Sequence, residues 1–291
     1  MDKVDYLGKK VTMTMTDEND RYYFGQLEDG LTFRVAKSEF DQPHVVTDAI
    51  TGFAYENTEH VLSLTTKMPT VRLNQFGWAT VVSSRRDLGV FVSIGLPDKD
   101  IVVSLDELPT IHHLWPEKGD QLFVKLAVDV KGRMWGHLAD MPEFEARSRR
   151  ALPTMKNHDI TGTIYRLKLV GSYLFTDERN IGFIHPSERD GEPRLGQRIK
   201  ARVIGVRPDG TMNLSMRPRA YQAISADAEM ILAVLQHQPG GVMAYTDKSE
   251  PEAIKTFFGI SKGQFKRALG HLMKADLIEQ REGKTYLKQK N

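Results

Sequence analysis

The segment GSYLFTDERNIGFIHPSE, residues 171–188, decides the fold. Ser172 to Thr176 and Ile181 to His185 are short runs of strand-forming residues flanking a polar turn, and their alternation gives each run one apolar face. Working outward, Gly162 to Leu167 precedes them, and Arg198 to Val206 and Met212 to Met216 follow. Five strands this short hide their apolar faces only if the sheet curls onto itself, so a small closed barrel is expected over residues 157–218.

The same plan appears twice upstream. Gly77 to Ser83, Gly89 to Ile94, Ile101 to Ser104, Gln121 to Val128 and Arg133 to Leu138 predict a barrel over residues 68–145. Val11 to Met15, Tyr22 to Leu27, Leu31 to Val35, Gly52 to Tyr55 and Val61 to Thr65 predict another over residues 1–67. Residues 146–156 read as a linker continuing a polar, helix-prone run, Glu143 to Arg150, between Pro142 and Pro153. After Pro218 the period changes. Ala228, Ile231, Val234 and Leu235, then Ile254, Phe257 and Phe258, then Phe265, Ala268, Leu269 and Leu272 recur at helical spacing. Ser249 and Glu252 predict a capping box for the second helix, and Ser261 a cap for the third. Alternation on either side of Glu282-Gly283 predicts a β-hairpin. Three helices and a hairpin make residues 219–291 an α+β winged helix, a helix-turn-helix variant. The fold class is therefore multidomain and mainly β.

Composition narrows function. The 291 residues are 40% hydrophobic and 27% charged, inside the range of folded domains. No run is long and apolar enough to span a bilayer, and no leader-like segment opens the chain, so a cytoplasmic protein without membrane association is expected. The absence of cysteine excludes disulfides, thiolate metal sites and cysteine nucleophiles. Lys and Arg against Asp and Glu give −5 over residues 1–67 and +6 over residues 150–219. A polyanion is thus expected mainly on the rear half. Catalysis needs a base, nucleophile or metal cluster in one place, and the nine histidines are scattered, with only His112 and His113 adjacent. Asp98 and Asp100 sit in a polar loop. No enzyme, cofactor or metal is expected.

In residues 157–217 the order Gly162-x-Ile164, Gly171 to Phe175, Gly182 to Glu188, Gly196 to Ile204 and Asp209-Gly210-x-x-Asn213-Leu214-Ser215 resembles the S1 RNA-binding domain, a five-stranded OB-fold barrel. Such barrels hold a single strand by stacking bases on rings and by tracking phosphates with cations. The resemblance places Tyr173 and His185 at the base-contacting positions. Phe175 shares a strand face with Tyr173 and is either a second stacking platform or a core residue. Lys200 and Arg202 alternate along the fourth strand and are expected to flank one groove. Val170 and Thr211 depart from an aromatic and an arginine common in the family, which implies weaker binding than a typical member. The second barrel matches more loosely, with Ser104 in the histidine's place and with Phe91 and Arg133 as candidate contacts; Phe91 is also open to a core reading. Trp115 is expected to pack the long connection. The acidic first barrel is expected to be structural or protein-contacting; its Tyr22, Tyr23 and Phe24 could offer one exposed ring, although alternation demands some of them inside.

In the last domain Lys262, Lys266, Arg267 and Lys274 decorate the third helix, and Arg281 and Lys284 the hairpin, as candidate nucleic-acid contacts beside the plain reading of a solvated face. The phrase Thr246-Asp247-Lys248-Ser249-x-Pro251-Glu252-x-Ile254, continued by Phe258 to Ala268, Leu269-Gly270 and Leu272, resembles the C-terminal signature of the bacterial conserved virulence factor B family, as does the whole domain order. The resemblance implies a cytoplasmic RNA-binding regulator of bacterial gene expression whose loss in pathogens alters virulence-factor production. The expected partner is single-stranded RNA, such as mRNA, bound with low sequence specificity by a monomer along a groove over the second and third barrels, extended by the winged helix. Duplex DNA, for a transcription regulator, and the ribosome or another protein, for an adaptor, are the alternative partners.

Overall fold

A computed structural model describes residues 2–217 and 220–288. The first barrel comprises β1 (Lys10–Glu18), β2 (Tyr22–Gln26), β3 (Thr32–Ala36), β4 (Ala49–Glu56) and β5 (Leu62–Thr65). The second comprises β6 (Gly77–Arg85), β7 (Gly89–Ser93), β8 (Ile101–Ser104), β9 (Gln121–Val128) and β10 (Met134–Leu138). After helix α1 (Met141–Glu145) comes the third, with β11 (Asp159–Lys168), β12 (Gly171–Thr176), β13 (Ile181–Ile184), β14 (Arg198–Val206) and β15 (Met212–Ser215). All three are closed, with strand order 1-2-3-5-4 and a parallel pairing between the third and fifth strands.

Closure follows from the sequence pattern. Alternate residues such as Ile164, Leu174, Ile184, Val203 and Leu214 meet inside the third barrel. The first strand of each barrel carries an irregularity in register, at Met15/Asp17, Val81/Ser83 and Ile164/Arg166. A bulge there bends the strand so that it can pair with neighbours on both sides.

The barrels form one compact unit ending at Met216. Phe53 and Tyr55 of the first barrel pack into the core cluster of the second. The Leu195 N–H donates to the Leu114 carbonyl at 3.0 Å, and the Gln121 N–H to the Gly196 carbonyl at 2.9 Å, so the second and third barrels share backbone hydrogen bonds. Arg194 reinforces that seam, 3.3 Å from both Glu117 and Asp120. Trp115 packs the long connection as expected, buried and donating its indole N–H to the Pro109 carbonyl at 2.7 Å. His112 and His113 belong to a short 3-10 turn rather than a strand.

The linker departs from expectation. The helix covers Met141–Glu145 instead of the polar run, because Asp140 and Glu143 form a capping box ahead of it. Its Phe144 is 2% exposed.

The second unit begins at Arg217, and the boundary expected at Pro218 lies outside the described residues. Its elements are α2 (Ala220–His237), β16 (Val242–Met243), α3 (Pro251–Phe258), α4 (Lys262–Lys274), β17 (Ile278–Arg281) and β18 (Lys284–Leu287). The expected hairpin gains β16 as a third strand, in the order β16-β18-β17. Ser261 caps α4 in a capping box with Gln264. The box expected at Ser249 and Glu252 does not form: Glu250 occupies the cap of α3 without a side-chain bond, and the Ser249 hydroxyl accepts the Thr246 N–H instead. Phe257 is half-exposed rather than part of the core stripe.

Candidate nucleic-acid interface

In the third barrel the β12–β13 ladder sets Tyr173 directly opposite Phe183, and the parallel β13–β15 ladder sets Phe183 beside Asn213. The three side chains therefore form a row on the outer surface. The rings of Tyr173 and Phe183 meet edge-on with centroids 5.2 Å apart, and both remain partly exposed. The Arg207 guanidinium lies 4.9 Å from the Phe183 centroid and is steered by its Nε, which donates to Asn213 Oδ1 at 2.9 Å. The Lys168 ammonium lies 5.8 Å from the Tyr173 ring. Gly171 opens β12 at φ 153°, and a Cβ there would fall 2.5 Å from the Phe183 ring, so only glycine lets that ring lie over the strand.

His185 follows Phe183 by two residues on the same face and is exposed. Its Nδ1 accepts the Ser187 N–H at 3.2 Å, which leaves the proton of the neutral ring on Nε2.

Phe175 is a core residue. It is 8% exposed and meets Phe144 edge-on at 5.1 Å, in a cluster with Tyr165 and Ile181. It is covered and offers no stacking face. Burial raises the Tyr165 hydroxyl well above its ordinary pKa, in keeping with a phenol enclosed by this seam. Lys200 and Arg202 share a face, and on β11 their register partners are Thr161 and Asp159. Lys200 lines the β11–β14 seam, whereas Arg202 is also opposite Ser215 of β15, two residues along the strand from Asn213.

The second barrel repeats the row as Phe91, Val102 and Trp135. Phe91 is partly exposed. Arg133 lies 5.3 Å from the Trp135 ring and is pinned to Asp129 at 2.7 Å, which also accepts the Trp135 indole N–H at 3.3 Å. Burial would raise the Asp129 carboxyl, but hydrogen bonds from the Arg133 backbone and guanidinium, from Trp135 and from the Lys131 N–H hold it well below the usual carboxylate range. In the first barrel the equivalent row is Phe24, Arg34 and Ser63. Phe24, Phe91 and Tyr173 thus occupy one position three times, each opposite the residue just past the bulge.

Sequence reasoning missed Phe183, Arg207, Asn213 and Trp135. Alternation from His185 back to Phe183 was the available signal; Arg207 and Trp135 needed the strand order.

In the winged helix Lys266, Arg267 and Lys274 are exposed on α4 and Lys262 partly so. Gly270, which has open space at its Cβ position, lies on the same helix. On the hairpin Lys284 is exposed, while Arg281 stacks on Tyr286 at 4.2 Å and lies 3.5 Å from Glu279. Among the described residues no group of three or more His, Asp or Glu could hold a metal, and no helix is long and apolar enough to cross a membrane.

Comparison with known proteins assigns each part. Residues 7–67 match the S1 domain, 76–137 the CvfB first S1-like domain, 144–218 the second domain of virulence regulatory factor CvfB, and 229–287 the CvfB-like winged helix domain. Conserved virulence factor B of Staphylococcus epidermidis is 37% identical over 239 residues, covering 82% of this chain and 79% of that protein. The uncharacterized protein YitL of Bacillus subtilis is 41% identical over 282 residues, covering 97% and 93%. A crystal structure of a multidomain protein with nucleic acid binding domains from Streptococcus pneumoniae TIGR4 is 50% identical, covers 98% of this chain and 99% of that one, and superposes with a TM-score of 0.71.

Proposed function

The chain belongs to the conserved virulence factor B family, and from that premise we propose that it binds single-stranded RNA with low sequence specificity and so modulates bacterial gene expression after transcription. The family's S1 and winged-helix domains make it a nucleic-acid-binding regulator. The single-strand reading rests on one observation: the partly exposed Tyr173–Phe183 pair, 5.2 Å apart, flanked by Lys168 and by Arg207. Unpaired bases stack on such rings whatever their identity, whereas duplex bases are already stacked on one another. Cations beside the rings meet the phosphates that join successive bases.

The row of Phe91 and Trp135 on the second barrel supplies a second set of contacts on the same unit. Once one barrel holds the strand, the other binds it intramolecularly, so individually weak sites give useful affinity. The exposed cations of α4 and the hairpin offer phosphate contacts of their own in the winged helix.

Competition separates this reading from a duplex-binding transcription regulator. Fluorescently labelled oligouridine bound to the full chain is challenged with an excess of unlabelled random duplex and, in parallel, with unlabelled oligouridine. Displacement by the single strand alone is expected. Preferential displacement by the duplex would overturn the proposal.

A further inference from the structure

A cleft of about 470 Å³ opens between the first and second barrels, within the usual size range of small-ligand sites. The first barrel contributes Lys3 and Glu56, and the second Lys99, Asp100, Lys131, Arg133 and Trp135. Two barrels that are each net negative thus turn basic side chains at this junction into one predominantly cationic wall. The Glu56 carboxylate is already held by Lys3 at 3.0 Å and by His60 at 3.5 Å, and the Glu56 carbonyl accepts from Lys99. Lys131 is exposed and enters no ion pair among the described residues.

We propose that this cleft binds a nucleoside phosphate, with the base against Trp135 and the phosphate among Lys3, Lys99 and Lys131. The proposal rests on the single-strand reading above for its strand-borne form, and it gives the first barrel a share in the ligand surface instead of a purely structural role. Trp135 carries the argument for a base: it ends the Phe91–Val102–Trp135 row and lines the cleft, while Arg133, at 5.3 Å, lies over its ring and fixes it. An indole so held is a stacking surface at low entropic cost. The cations carry the argument for a phosphate. Burial depresses the Lys99 ammonium below its ordinary pKa against the opposing pull of Glu56 and Asp98, so an arriving phosphate restores favourable surroundings to a desolvated charge. Asp100 offers an acceptor that a ribose 2′-hydroxyl can use and a deoxyribose cannot.

The nucleotide can come free in solution or as one unit of an RNA strand, and the experiment has an arm for each. Indole N–H resonances of the full chain are followed by NMR during titration with uridine 5′-monophosphate and, separately, with a uridine pentanucleotide; Trp135→Phe assigns the Trp135 signal. Saturable movement of that signal is expected, with the buried Trp115 signal unmoved. Lys3→Gln/Lys131→Gln, checked for an unchanged thermal melt, is expected to weaken the response at least tenfold, through removal of two charge-assisted bonds. Lys131→Gln alone serves if the double variant melts early. Response to the pentanucleotide only identifies the strand as source, and response to both admits the free nucleotide. A Trp135 signal that stays still with both ligands, or that moves equally in the lysine variants, overturns the cleft. If the pentanucleotide still binds in that case and Tyr173→Ala weakens it, the function proposed above stands without the cleft; if nothing binds, both fall.

Discussion

Phe144 of α1 meets Phe175 of β12 edge-on, with ring centroids 5.1 Å apart, whereas Tyr173, two residues earlier on the same strand face, remains partly exposed. One face of one strand thus serves two purposes. Its end nearer the linker is consumed in joining barrels, and its other end stays open to solvent.

The exposed end is the first to test. Tyr173→Ala and Phe183→Ala are each expected to weaken oligouridine binding by about 1–3 kcal/mol, the value of a base stacked on an aromatic ring. Arg207→Ala is expected to cost more than Lys200→Ala, because only Arg207 lies over the ring row while Lys200 lines the β11–β14 seam. Fluorescence anisotropy on the folded variants measures both comparisons, and equal losses for the two cations would contradict the placement.

The covered end predicts a stability effect. Phe144 packs against Trp78, Phe123, Tyr165 and Phe175, with centroids at 6.1, 5.3, 4.0 and 5.1 Å. Phe144→Ala is expected to destabilise the barrel unit by about 3–5 kcal/mol, the cost of emptying a large aromatic site. Chemical denaturation followed by tyrosine and tryptophan fluorescence reads it, and a loss below about 1 kcal/mol would mean that the seam collapses without consequence.

Asp129 gives a pH dependence of definite sign. Its folded carboxyl is held below the ordinary range by the Arg133, Trp135 and Lys131 bonds, against the opposing effect of burial. Such a group contributes stability that is present above the unfolded value of about 3.9 and is lost as pH falls through the depressed folded value. Asp129→Asn is therefore expected to melt below the native protein at neutral pH, with the gap closing as the solution is acidified below about pH 4. A gap that is constant across this range would show that the carboxylate's charge plays no part.

The winged helix predicts a change in salt response. Lys266→Gln/Lys274→Gln removes two exposed charges from α4. For a single-stranded ligand the slope of log affinity against log salt is expected to shrink by about 0.7 for each phosphate the variant no longer neutralises, similarly for every sequence tried. An unchanged slope would leave these lysines as a solvated face.

The extent to which the sequence foretold this arrangement varied with how local the cause was. The places of Tyr173 and His185 in the fold were legible because their motif spells out two adjacent strands and the turn after the second. Burial of Phe175 was not: periodicity names the face a residue shares, but its cover, Phe144, comes from a segment that reads as polar linker. The same-face pairing of Lys200 and Arg202 was read correctly from alternation. The neighbours they meet, β11 for both and β15 also for Arg202, depend on the 1-2-3-5-4 strand order, which the spacing of residues does not contain. Arg207 escaped notice because it leaves its strand for a turn and reaches Phe183 with the help of Asn213, on a different strand. At Ser249 a correct residue pattern yielded to local competition, since its hydroxyl accepts the Thr246 N–H.

The backbone bonds from Leu195 to Leu114 and from Gln121 to Gly196 hold the second and third barrels in fixed register, so the distance from Phe91 to Tyr173 is set by the chain rather than by thermal drift. For the strand binding proposed above, the barrel unit is thereby expected to act as a ruler. Oligonucleotides too short to bridge that gauge are expected to engage one landing at a time, with a step in affinity once they are lengthened past it, where a loosely tethered pair of modules would give a gradual climb.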